Sequence, residues 1–138
     1  MTRVSNPQVL QAVDQYLDEN IDQHEKIGEL FAHKMFSTSQ VRNLQQIVIT
    51  ANRYTAIINF VKNQIGKSSK RKSWASLVGD KMIGEVVLDS LEMLMKQAQK
   101  IAEEFGESPY TVALQLARGW VEQVVSHYLY CKTRREVT

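Results

Sequence analysis

The chain is poor in the residues that cross-link or punctuate a fold. Its 138 residues include one cysteine, Cys131, so no disulfide can form within it. Two prolines and six glycines leave few positions where a turn is forced. No apolar run approaches the ~18 residues that cross a bilayer as a helix. The opening MTRVSNPQ has no apolar stretch of the kind a secretory leader carries. Together these absences predict an intracellular, cytoplasmic protein. No segment alternates apolar and polar residues between turn signals, which argues against strands. No internal repeat is visible.

The most local shortage is of negative charge. Residues 37–79 contain Arg42, Arg53, Lys62, Lys67, Lys70, Arg71 and Lys72 and not one Asp or Glu. The segments on either side compensate: residues 1–36 carry net −3 and residues 80–108 net −4, while residues 109–138 carry +2, leaving +2 overall. Such an imbalance speaks about partners rather than fold, and its natural counterpart is a polyanion or an acidic protein surface.

What is abundant is apolar residues at helical spacing. Hydrophobic residues make up 43% of the chain, enough for one core and one domain over residues 1–138. Asn6-Pro7 reads as an N-cap followed by a first-turn proline, and Val9, Leu10, Val13, Tyr16 and Leu17 follow on one face. The pattern resumes at Ile21, Ile27, Leu30 and Phe31, and the polar stretch 18–23 leaves open whether 7–34 is one helix or two.

Ser37-Thr38-Ser39-Gln40 offers a capping box. From Val41 through Leu44, Val48, Ala51, Tyr54, Ile58, Val61 and Ile65 one stripe predicts a single helix over 38–65, closed by Gly66. The small, basic residues of 66–75 read as a mobile loop. Leu77 to Phe105 makes a third stripe, ended by Gly106, and Ser108-Pro109 opens the last helix, with Val112, Leu116, Trp120, Val124 and Tyr128 on its core face. The expected fold is all-α, a bundle of four or five helices.

Catalytic and metal motifs are scarce. There is no G-x-x-x-x-G-K-[ST], G-x-G-x-x-G, G-x-S-x-G or H-E-x-x-H. Gly66-Lys67-Ser68 resembles the end of a phosphate-binding loop, but Val61 stands where the leading glycine belongs and a helix precedes it. Glu25, Glu29 and His33 share a helix face, an arrangement more often solvated than metal-bound. His127 and Cys131 are four apart, too few ligands for a closed zinc site. Arg118 and His127, the nearest thing to a ribonuclease pair, lie nine residues and about half a turn out of phase. No catalytic residue, metal or cofactor is expected.

The basic segment is therefore the sharpest signal. On one continuous helix Arg42 and Arg53 would share a face, three turns apart, near Gln45, Gln46 and Asn52. Adding Lys62 and the loop cations Lys67, Lys70, Arg71 and Lys72 gives a strip about 40 Å long, suited to phosphate and sugar oxygens. The competing reading is a solvated face paired to the chain's own acidic helices. Trp74, beside the loop, can stack on a base or plug the end of the bundle.

The segment FSTSQVRNLQQIV (36–48) resembles the "(L/F)-T-T-S-(K/Q)-(L/I)-R-N-L" signature of the small helical subunit of type III-A (Csm-type) CRISPR effector complexes. FVKNQIGK (60–67) is similar to that family's "F-x-Y-Q-A-G-R" helix end, with Gln64, Gly66 and Lys67 in matching places. WVEQVVSHYLYCK (120–132) is similar to its C-terminal helix, with Glu122, Val125 and Tyr128 aligned. The resemblance implies a non-catalytic, self-associating subunit of an antiviral ribonucleoprotein. Its implied partners are crRNA, target RNA, and the large and backbone subunits of the complex. RNA would be held by backbone and shape, since guide pairing supplies the specificity. The alternative is a helical protein–protein adaptor whose basic strip docks on an acidic partner.

Overall fold

The computed structural model describes residues 6–137, so residues 1–5 and 138 of the expected domain lie outside the described residues. Six α-helices make up almost all of it: α1 (Pro7–Glu19), α2 (Ile21–His33), α3 (Thr38–Thr50), α4 (Tyr54–Lys67), α5 (Ile83–Phe105) and α6 (Pro109–Val137). The all-α expectation holds, with six helices instead of four or five.

Local signals explain several boundaries. Asn6 caps α1 by accepting from the Gln8 N–H at 2.9 Å. Asn20 divides α1 from α2, and its Nδ2 donates to Tyr16 O at 2.9 Å, occupying a carbonyl of α1's last turn. At α3 the capping box is complete: Gln40 N–H donates to Ser37 Oγ and Ser37 N–H to Gln40 Oε1. Gly106 ends α5 in the left-handed conformation, φ 71°.

Two expectations fail. The predicted 38–65 helix is broken: Ala51 and Arg53 are extended, and α4 begins at Tyr54. No proline or glycine marks the break. The β-branched run Ile47–Thr50 is a weak helix former, and tertiary contacts reset the chain. Arg118 Nη2 donates to the Ala51 carbonyl at 3.3 Å, and the buried Tyr54 donates from its hydroxyl to Leu91 O. The apolar stripe changes phase there, so Ile57 is fully buried while Ile58 is only partly so.

The third stripe also starts late. Leu77–Val78 (β1) and Lys81–Met82 (β2) pair antiparallel about the two-residue turn Gly79–Asp80, with Gly79 at φ 67°. The helix proper starts at Ile83, so Leu77, Val78 and Met82 belong to a small hairpin.

α6 runs through the middle and packs against α1, α2, α3 and α5. It therefore buries more than its expected face: Ala113, Ala117, Val121 and Val125 are covered as well as Val112, Leu116, Trp120, Val124 and Tyr128. Gly28 lets α2 come close, because a Cβ there would lie 2.4 Å from Val124 O. His24 is buried at the same interface, with Nδ1 2.7 Å from Gln123 Oε1. Gln123 Nε2 donates to Leu17 O at 3.1 Å, so His24 is the donor, and the pair ties the end of α1 to α6.

Candidate nucleic-acid interface

All seven cations of the acid-free segment are exposed. Among the described residues none of them forms an ion pair; ion pairs occur elsewhere, at Lys81–Asp89, Lys96–Glu92 and His127–Glu25. The competing idea, that the basic segment is neutralised by the chain's own acidic helices, is thus not realised in the fold. Arg42 Nη1 donates to Gln45 Oε1 at 2.8 Å, a bond to a neutral group that leaves its charge uncompensated.

The arrangement differs from a straight strip. Because the chain turns at 51–53, Arg42 and Arg53 are not on one helix. Arg42 is in α3, and Arg53 is the residue preceding α4. α3 and α4 pack together, and the segment following α4 returns to the start of α3, where Gln40 Nε2 donates to Ser73 Oγ at 2.7 Å. The basic loop therefore ends on the Gln40 flank of the first turn of α3, instead of some 40 Å further along a continuous helix. Arg53 is left at the other end of α3, about 20 Å off at 1.5 Å per residue. Lys62 and Lys67 leave α4 about 140° apart and so serve different flanks of it.

The loop is shorter and better held than expected. α4 runs through Lys67, and a 3₁₀ turn at Ser73–Ala75 follows, leaving Lys70, Arg71 and Lys72 in the open part. Arg71 and Ser73 both take left-handed φ, 57° and 53°. Trp74 is 2% exposed, its ring edge-on to Phe31, Phe36 and Phe60. It anchors the loop and presents no face to a base.

A further cation stands at this place. Lys132 on α6 donates from Nζ to Thr38 Oγ1 at 2.6 Å. It is sixty residues away from Lys72 in the chain, and only the packing of α6 on α3 joins it to residues 42–72.

The other candidates are engaged elsewhere. Glu25 faces His127, with 3.7 Å between Oε2 and Nδ1. Among the described residues no three of His, Cys, Asp and Glu are grouped to hold a metal ion. The Cys131 thiol is pushed up from its ordinary value by burial, then by the charges of Glu29 and Glu25, the reverse of an activated nucleophile. Arg118 reaches the Ala51 carbonyl while His127 faces Glu25, so the two do not meet in a site. Among the described residues no helix is long and apolar enough to cross a membrane.

Comparison of the chain with protein-family models, with curated proteins and with solved structures finds no match.

Proposed function

We propose that this protein is a non-catalytic small subunit of a type III CRISPR effector complex. In that role it holds crRNA and target RNA by their backbone, without sequence preference, in the cytoplasm. The observation that carries the reading is the set of seven exposed cations, none paired with a carboxylate among the described residues. Exposed charge left unneutralised within the fold is available to phosphates. The FSTSQVRNL resemblance supports the particular assembly, and with it the large and backbone subunits as neighbours and self-association among copies.

The test is RNA binding across a salt series, with single strands of unrelated sequence. Arg42→Ala and Arg53→Ala should each weaken binding alike on every sequence. Each should also flatten the slope of log affinity against log salt by roughly 0.7. A variant with Lys67, Lys70, Arg71 and Lys72 all changed to Gln should lose more. Unchanged affinity and slope in these variants would remove the RNA role. RNA that stays unbound at low salt while an acidic protein co-purifies would favour the adaptor. Co-purification with backbone subunits and crRNA tests the assembly itself.

A further inference from the structure

We propose that the RNA surface continues from the basic loop, across the exposed face of α3, to Lys132 on α6, which makes Lys132 a phosphate contact. The inference rests on the RNA-binding reading above and extends it to a part of the chain far from the acid-free segment.

The first turn of α3 is held on both flanks. On one side Gln40 binds Ser73, at the end of the loop; on the other Thr38 accepts from Lys132. Thr38 and Gln40 lie about 200° apart around the helix. Val41, Leu44 and Val48, all buried, fall between them on the core side. Thr38 and Gln40 therefore mark the two edges of the exposed face, and Arg42, about 40° from Thr38, stands on that face. A strand laid across it passes the loop cations Arg71 and Lys72, then Arg42, then Lys132. The two flanks so joined are separated by the width of a helix, about 10 Å. A chain of regularly spaced phosphates matches that separation, and a single small anion does not.

Lys132 is partly exposed and has no carboxylate partner among the described residues; the Thr38 hydroxyl orients its ammonium without neutralising it. With Arg135 it lines a groove of about 410 Å³ beside Met35 and Ser37. Among the described residues, left-handed non-glycine φ occurs at Met35, Arg71 and Ser73, and all three border this surface. Backbone strain of that kind concentrates where proteins grip ligands.

The test compares the full chain with Lys132→Gln, Thr38→Val and the four-residue loop variant. The probe is labelled single-stranded RNA, read by anisotropy over a salt series. Thr38→Val breaks the same internal hydrogen bond but keeps the charge. The expected result is that Lys132→Gln weakens binding and flattens the salt slope by about 0.7, while Thr38→Val leaves the slope at its wild-type value. Equal RNA binding by wild type and Lys132→Gln, with the loop variant weakened, would overturn this inference alone. The same holds if Lys132→Gln and Thr38→Val lose binding equally. No RNA binding by the wild-type chain would overturn the RNA reading and this extension together.

Discussion

Gln40 uses one side-chain amide for two jobs: its Oε1 accepts from Ser37 N–H at 2.9 Å, and its Nε2 donates to Ser73 Oγ at 2.7 Å. A local helix signal is thereby joined to a segment thirty-three positions away. The cap fixes where α3 begins, and the tether fixes where the basic loop ends.

The two jobs separate by mutation. Gln40→Ala removes both and should lower stability by about 1–2 kcal/mol, the sum of a cap and a partly buried hydrogen bond. Ser73→Gly removes only the tether and also relieves the left-handed φ at that position. Its midpoint of urea unfolding should move little, while the amides of residues 69–73 exchange faster. Equal protection of those amides in the variant and the wild type would show that Trp74 alone holds the loop.

Two helical glycines should respond to alanine with opposite sign. At Gly28 a Cβ would stand 2.4 Å from Val124 O and 2.9 Å from Tyr128 N, and a helix backbone cannot yield as a side chain can. Gly28→Ala should cost about 3 kcal/mol. Gly66 lies within α4 and has nothing within 4 Å of its Cβ position. Gly66→Ala should stabilise by about 0.5–1 kcal/mol. Thermal or urea unfolding of the two variants beside the wild type decides both.

His24 should make the fold sensitive to mild acid. Burial between α2 and α6 pushes its imidazole below the ordinary histidine value of 6.5, and the hydrogen bond with Gln123 opposes this only in part. The unfolded chain then binds the proton more readily than the folded one. The stabilisation is present above pH 6.5 and is lost as pH falls through 6.5 toward the lower folded value. His24→Asn retains a donor near the Nδ1 position and cannot titrate. Between pH 7.5 and 5.5 its stability should fall less than that of the wild type. Parallel curves would assign the acid sensitivity to other groups.

Trp74 should behave as a core residue. Trp74→Ala should cost about 3–5 kcal/mol by emptying the space between Phe31, Phe36 and Phe60. Trp74→Phe should leave RNA affinity within about twofold, since a ring 2% exposed has no face for a base to stack on. A loss as large as that of the loop variant would mean that the ring swings out on binding.

Much of the fold could be read from the chain because its signals were local. Asn6-Pro7, the Ser37 box and Gly106 each satisfy or end a helix with residues a few positions away, and Pro109 stands at the first position of α6. The break at 51–53 was not legible. The apolar residues keep near-helical spacing across it, and one of the contacts that hold the turn comes from Arg118, sixty-seven positions beyond Ala51. The hairpin at Gly79–Asp80 was hidden in the same way, by apolar residues that extended the stripe of α5.

The same division holds for the candidate interface. That seven cations occur over residues 37–79 without an acid among them is a property of composition that no folding can alter. Tertiary structure alone decided where they stand. By turning between α3 and α4, the chain brings the loop back to the Gln40 flank of α3, takes Arg53 off the α3 helix and leaves Lys132 on the opposite edge, beside Thr38. The physical reason is reach. Caps and propensities act within about one helical turn, whereas hydrogen bonds and packing between helices depend on how the whole core closes around α6.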